Sequence, residues 1–133
     1  MPCPWSEWSI SSIGTEWGDE TLTEFRYTSS SAAEAAGADQ GDPYAVMLRR
    51  GTLELGFYAP IGVDRQEPHE QDEVYMIVSG TGRFLNDGVE TEFGPGDALF
   101  VPAGVEHRFV DFSDDTAMWV VFYGPPGGEA RDI

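Results

Sequence analysis

The sequence predicts an all-β fold, a sandwich or small barrel. Two observations lead there: from Tyr44 onward, apolar and β-branched residues come in short runs split by turn residues, and almost no stretch carries helical periodicity. A length of 133 residues with 41% hydrophobic content suits one domain with one core. The expected strands are 45–49, 52–59, 73–79, 82–86, 89–93, 97–101, 106–112 and 116–123. Asp87-Gly88 separates two of them as a two-residue hairpin turn, since both positions of such a turn need positive φ. Gly94-Pro95-Gly96 and Pro102-Ala103-Gly104 mark further turns.

The flanks read differently. Residues 1–43 form an N-terminal extension carrying Trp5, Trp8 and Trp17, followed by a small, polar run in which Ala32–Ala36 makes one helical turn stopped by Gly37. Three tryptophans in a segment too polar for its own core are expected to pack on the barrel or on a second subunit, so a homodimer is expected. Residues 44–124 are the barrel, and 125–133 a frayed C-terminal tail.

Charge narrows the partners. The formal net charge is −17 and all seven basic residues are arginines. Nothing here neutralises phosphates or anionic headgroups, which argues against nucleic acid and membrane surfaces. Cys3 is the single cysteine, so neither an internal disulfide nor a thiolate metal site is expected. The first residues lack a basic region followed by an apolar core, and the expected compartment is the cytoplasm.

Chemistry concentrates at "GVDRQEPHEQDEVYMIVSG", residues 62–80, where His69 stands among Asp64, Glu67, Glu70, Asp72 and Glu73. Strands point alternate residues to opposite faces, so an extended chain carries Glu67, His69 and Glu73 to one side, with Glu70 and Asp72 on the solvated side. On a later strand, His107 shares parity with Phe109 and Asp111. Isolated anions in an apolar interior are very unfavourable, and a divalent cation removes the difficulty.

These two stretches resemble the cupin motifs. Glu67-x-His69-x3-Glu73-x6-Gly80 is similar to motif one, G-x5-H-x-H-x3,4-E-x6-G, with Glu67 in place of the first histidine and Gly62 one residue too near. "GDALFVPAGVEHRFVD" is similar to motif two, G-x5-P-x-G-x2-H-x3-N, with Gly96, Pro102, Gly104 and His107 in register and Asp111 replacing the asparagine. The resemblance implies a double-stranded β-helix, a jelly-roll barrel, with a divalent metal in its mouth. It implies His69, Glu73 and His107 as ligands, with Glu67 in the fourth position as ligand or as general base. Such a donor set suits Fe, Mn or Zn, with Ni after them. The function expected is a metalloenzyme of dioxygenase or isomerase type acting on a small-molecule substrate. A non-catalytic sensing cupin and a metal-free, sugar-epimerase-like cupin with His69 as base stand as alternatives. Asp111 is a candidate for orienting His107.

Overall fold

The computed structural model describes residues 25–38 and 43–130. The three tryptophans expected at a subunit contact lie outside that range. Among the described residues one helix precedes eight strands: α1 (Ser29–Ala38), β1 (Tyr44–Arg50), β2 (Leu53–Tyr58), β3 (Asp72–Ser79), β4 (Gly82–Asn86), β5 (Val89–Phe93), β6 (Ala98–Val101), β7 (His107–Val110) and β8 (Ala117–Tyr123). They form two antiparallel sheets, one of five strands in the order β1-β2-β8-β3-β6 and one of three in the order β5-β4-β7. This is the jelly-roll expected. Among the described residues no helix is long and apolar enough to cross a membrane.

Alternation fixes which residues meet between the sheets. Along β3, Glu73, Tyr75 and Ile77 point inward and are buried, whereas Met76 and Val78 are exposed. Tyr75, Phe84, Phe93, Phe109, Met118 and Val120 make the centre of the core. Its aromatic rings meet mostly edge to face, Tyr75 on Phe109 at 5.0 Å and Phe93 on Phe109 at 5.2 Å. The β4–β5 hairpin turns at Asp87 (φ 52°) and Gly88 (φ 81°), as the dipeptide predicts.

The helix is longer than expected and runs through Gly37. Thr28 caps it, its Oγ1 accepting the Ser31 amide at 3.2 Å. Ala32 and Ala36, one turn apart, are buried against Phe57, which meets Trp119 at 4.9 Å. A cap and a packed face outweigh the modest helix penalty of one glycine.

The connection between β2 and β3, residues 59–71, is held from inside. Asp64 is 2% exposed. Its carboxylate accepts the Tyr58 hydroxyl (2.6 Å), the Gln66 amide (3.1 Å), the Gln66 side-chain nitrogen (3.0 Å) and the Phe109 amide of β7 (2.8 Å). One carboxylate thus ties this connection to both sheets, and four donors offset the loss of its hydration. Asp64→Ala leaves the Phe109 amide and the Tyr58 hydroxyl buried without acceptors. Chemical denaturation is expected to register a loss of about 3 kcal/mol, at about 1–3 kcal/mol per stranded group. A loss under about 1 kcal/mol would show that water reaches these groups.

Candidate metal centre

Three elements bring the site together. Glu73 sits at the start of β3, opposite Phe122 on one side and Val101 on the other. His107 opens β7 in the smaller sheet, opposite Asn86. His69 comes from the connection before β3. Glu73 and His107 face each other across the gap between the sheets, with His107 Nε2 3.2 Å and His69 Nε2 3.7 Å from Glu73 Oε1. The three residues offer one ligand atom each, all within 4.8 Å of one another.

Burial makes this arrangement decisive. Glu73 is 0% and His107 1% exposed. His69 Nε2, both Glu73 carboxylate oxygens and His107 Nε2 are buried, and none has a hydrogen-bond partner outside this group. Buried polar atoms are ordinarily satisfied, and a carboxylate left unpaired in an apolar interior is very costly. A divalent cation among these atoms would satisfy all three residues, and imidazole with carboxylate is the donor chemistry such an ion takes. The residues therefore fit the group.

The imidazoles are prepared for that role. The second ring nitrogen of His107, Nδ1, lies 2.9 Å from the Val105 carbonyl oxygen. A carbonyl can only accept, so Nδ1 carries the proton and the Nε2 lone pair is turned into the site. Burial pushes the His69 pKa down, which keeps its ring neutral and able to ligate. Burial also works downward on His107, but the Glu73 contact and the Val105 bond together carry its pKa up. A proton and a metal ion would therefore compete for His107 Nε2, and acidification would oppose binding. His69 packs its ring edge on Phe122 at 4.7 Å, which fixes its direction.

A cavity of about 320 Å³ opens beside these ligands, lined by Tyr44, Glu54, Tyr58, Gln66, His69, Glu73, Val120 and Phe122. Its polar wall is largely engaged already. Tyr44 donates to Glu54 (2.7 Å), Tyr58 to Asp64, and Gln66 accepts the Tyr75 hydroxyl (2.8 Å). Burial, reinforced by the neighbouring carboxylates, pushes the Tyr44 and Tyr58 phenols well above their ordinary range, so both remain neutral donors. Glu54 and Gln66 have no signature in either motif. Only the pairing of β2 with β8 brings Glu54 beside Phe122, a long-range fact that local patterning does not carry.

Glu67 is not brought into this group. It is exposed and stands in the connection, before β3 begins at Asp72. Strict alternation holds along a strand, and here the strand starts too late to carry Glu67 inward. Asp111, expected beside His107, is exposed with φ 50° and pairs with Arg83 instead. Asp72 departs in the other direction: expected on the solvated face, it is 7% exposed.

Comparison with known proteins identifies the family of this fold. Residues 56–123 match the family described as Cupin domain. An uncharacterised protein of Streptomyces coelicolor is 38% identical over 94 residues, which make up 69% of this chain and 90% of that one. The acireductone dioxygenase of Bacillus pumilus is 34% identical over 96 residues, 68% of this chain. The match covers 53% of the dioxygenase, about half its length. Among solved structures, a Cupin 2 conserved barrel domain protein from Salinispora arenicola superposes with a TM-score of 0.53 at 22% identity, covering 61% of this chain and 74% of that one. The family match spans both motifs and the strands between them, and the chain belongs to the cupin superfamily, in its conserved-barrel, cupin-2 type.

Proposed function

We propose that this cupin is a metalloenzyme of dioxygenase type, acting on a small molecule held in the barrel beside an ion bound by His69, Glu73 and His107. The observation that carries this reading is the set of partnerless ligand atoms on those three residues, buried at the edge of a cavity of small-molecule size. Two imidazoles and one carboxylate suit non-haem Fe(II) and leave coordination positions open. Similarity to acireductone dioxygenase supports oxygen chemistry over isomerisation. The ion, when bound, supplies Lewis acidity and a place for substrate or oxygen.

The remaining work falls to the chain itself. Val105 holds the His107 ring in the ligating tautomer. Phe122 and Val120 exclude water from one side of the cavity. Tyr58 and Gln66 are pinned by Asp64, so their polar groups are held in place before a ligand enters.

His107→Ala removes a ligand from a barrel that otherwise keeps its core. Elemental analysis of protein purified without chelator is expected to find one Fe, Mn or Zn per wild-type chain and almost none in the variant; full occupancy in His107→Ala would place the ion elsewhere. Glu67→Gln, by contrast, is expected to retain the metal at wild-type stoichiometry. Loss of the ion from Glu67→Gln would return that side chain to the ligand set. Oxygen uptake by Fe(II)-loaded protein, offered a panel of small enediols and diketones, tests the reaction class. Consumption that disappears in Glu73→Gln supports the proposal, whereas a metal-loaded protein that binds members of the panel without oxygen uptake counts against the dioxygenase reading.

A further inference from the structure

The geometry points to Asp72 as a positioning residue that joins the C-terminal segment to both histidine ligands. Asp72 has no place among the ligand residues of either motif, and its parity on β3 directs it away from the cavity. It is nevertheless buried, because two later parts of the chain fold over it. Its Oδ1 accepts the Ala103 amide at 2.9 Å and its Oδ2 accepts the Glu129 amide at 2.9 Å.

The two residues after Ala103 give this bond its consequence. The Gly104 amide donates to the His69 carbonyl oxygen at 2.6 Å. The Val105 carbonyl accepts from His107 Nδ1 at 2.9 Å. Three consecutive residues of one turn therefore tie Asp72, His69 and His107 in order. The Asp72 carboxylate sets the position of that turn, and the turn sets where one histidine backbone lies and which nitrogen the other presents. A charge-assisted bond to a backbone amide is stiff enough for this role.

The second oxygen extends the linkage to residues 124–130, which are tied down where a frayed tail was expected. Gly127 donates to the Glu70 carbonyl at 2.7 Å. Gln71 Nε2 donates to the Gly124 and Thr52 carbonyls, each at 2.9 Å. Gly128 has φ 92°, and a Cβ there would stand 2.8 Å from Asp72 Oδ1 and 3.3 Å from Ala103 Cβ. Only glycine lets this segment lie against the clamp. Pro126 and Gly124 line a second cavity that shares Glu54, His69 and Phe122 with the first. The C-terminal segment thus forms part of the site's outer wall, and the Asp72 carboxylate joins it to the turn that holds both histidines.

The metal-related part of this inference rests on the ligand set proposed above, and the test separates the two. Asp72→Ala removes both acceptors. Asp72→Asn keeps one acceptor and turns the other into a donor. Gly128→Ala touches no ligand but forces the segment off Asp72. Mn(II) titration, followed by the paramagnetic resonance of the free ion, is expected to show affinity lowered ~10–100-fold in Asp72→Ala and by less in Asp72→Asn. Gly128→Ala is expected to move it in the same direction. In the metal-free proteins, Gly104 amide exchange is expected to quicken and the His107 ring-nitrogen shifts to lose their single-tautomer pattern. Folded variants with wild-type Mn(II) affinity, wild-type Gly104 exchange and wild-type His107 shifts would overturn the inference. If the wild type takes up neither Mn(II) nor Fe(II) nor Zn(II), the ligand set is wrong, and the metal-free readouts at Gly104 and His107 still decide the clamp. If Asp72→Ala fails to fold, Asp72→Asn and Gly128→Ala carry the same comparison.

Discussion

A carboxylate buried between two sheets, with no hydrogen-bond partner beyond two imidazole nitrogens, is the constraint on which this barrel turns. Glu73 projects inward because β3 alternates, and β3 is clasped on both sides, by β8 and by β6. The side chain cannot turn to solvent without breaking that register. Two imidazoles stand beside it, His107 Nε2 at 3.2 Å and His69 Nε2 at 3.7 Å from Oε1. Neutral imidazoles alone do not discharge a buried anion, whereas a cation does.

Other buried acids in the same stretch solve the same problem differently. Asp64 and Asp72 surround themselves with donors, Asp64 with one hydroxyl and three N–H groups, Asp72 with two backbone amides. Both are structural anchors. The distinction between an anchor and a candidate ligand is visible atom by atom: the anchors' carboxylates take donors from the rest of the protein, and the Glu73 carboxylate does not. A charge-rich segment that looks uniform in sequence is therefore divided into two roles by its hydrogen bonds.

Much of this was legible in the sequence, and the remainder was not for definite reasons. Alternation and turn residues locate all eight strands to within a few residues, and Asp87-Gly88 fixes its hairpin, because these are local properties of the backbone. His69, Glu73 and His107 follow from the spacing of two motifs, and the fold brings them together. Parity misleads at the strand's ends. It carries Glu67 inward where the chain is not yet a strand, and it turns Asp72 outward without knowing that residues 103 and 129 will cover it. Burial of that kind depends on contacts 31 and 57 residues away in sequence. The helix exceeds its expected single turn because its buried alanines meet Phe57, again a tertiary contact that overrides a local glycine.

The most direct test of the proposed metal centre is anomalous diffraction from crystals of protein purified without chelator, with data collected on either side of the Fe, Mn and Zn absorption edges. One strong peak is predicted, bounded by His69 Nε2, His107 Nε2 and the Glu73 carboxylate, with Glu67 turned to solvent. A barrel with no anomalous peak at that position, and with those atoms satisfied by ordered water or by each other, would contradict it.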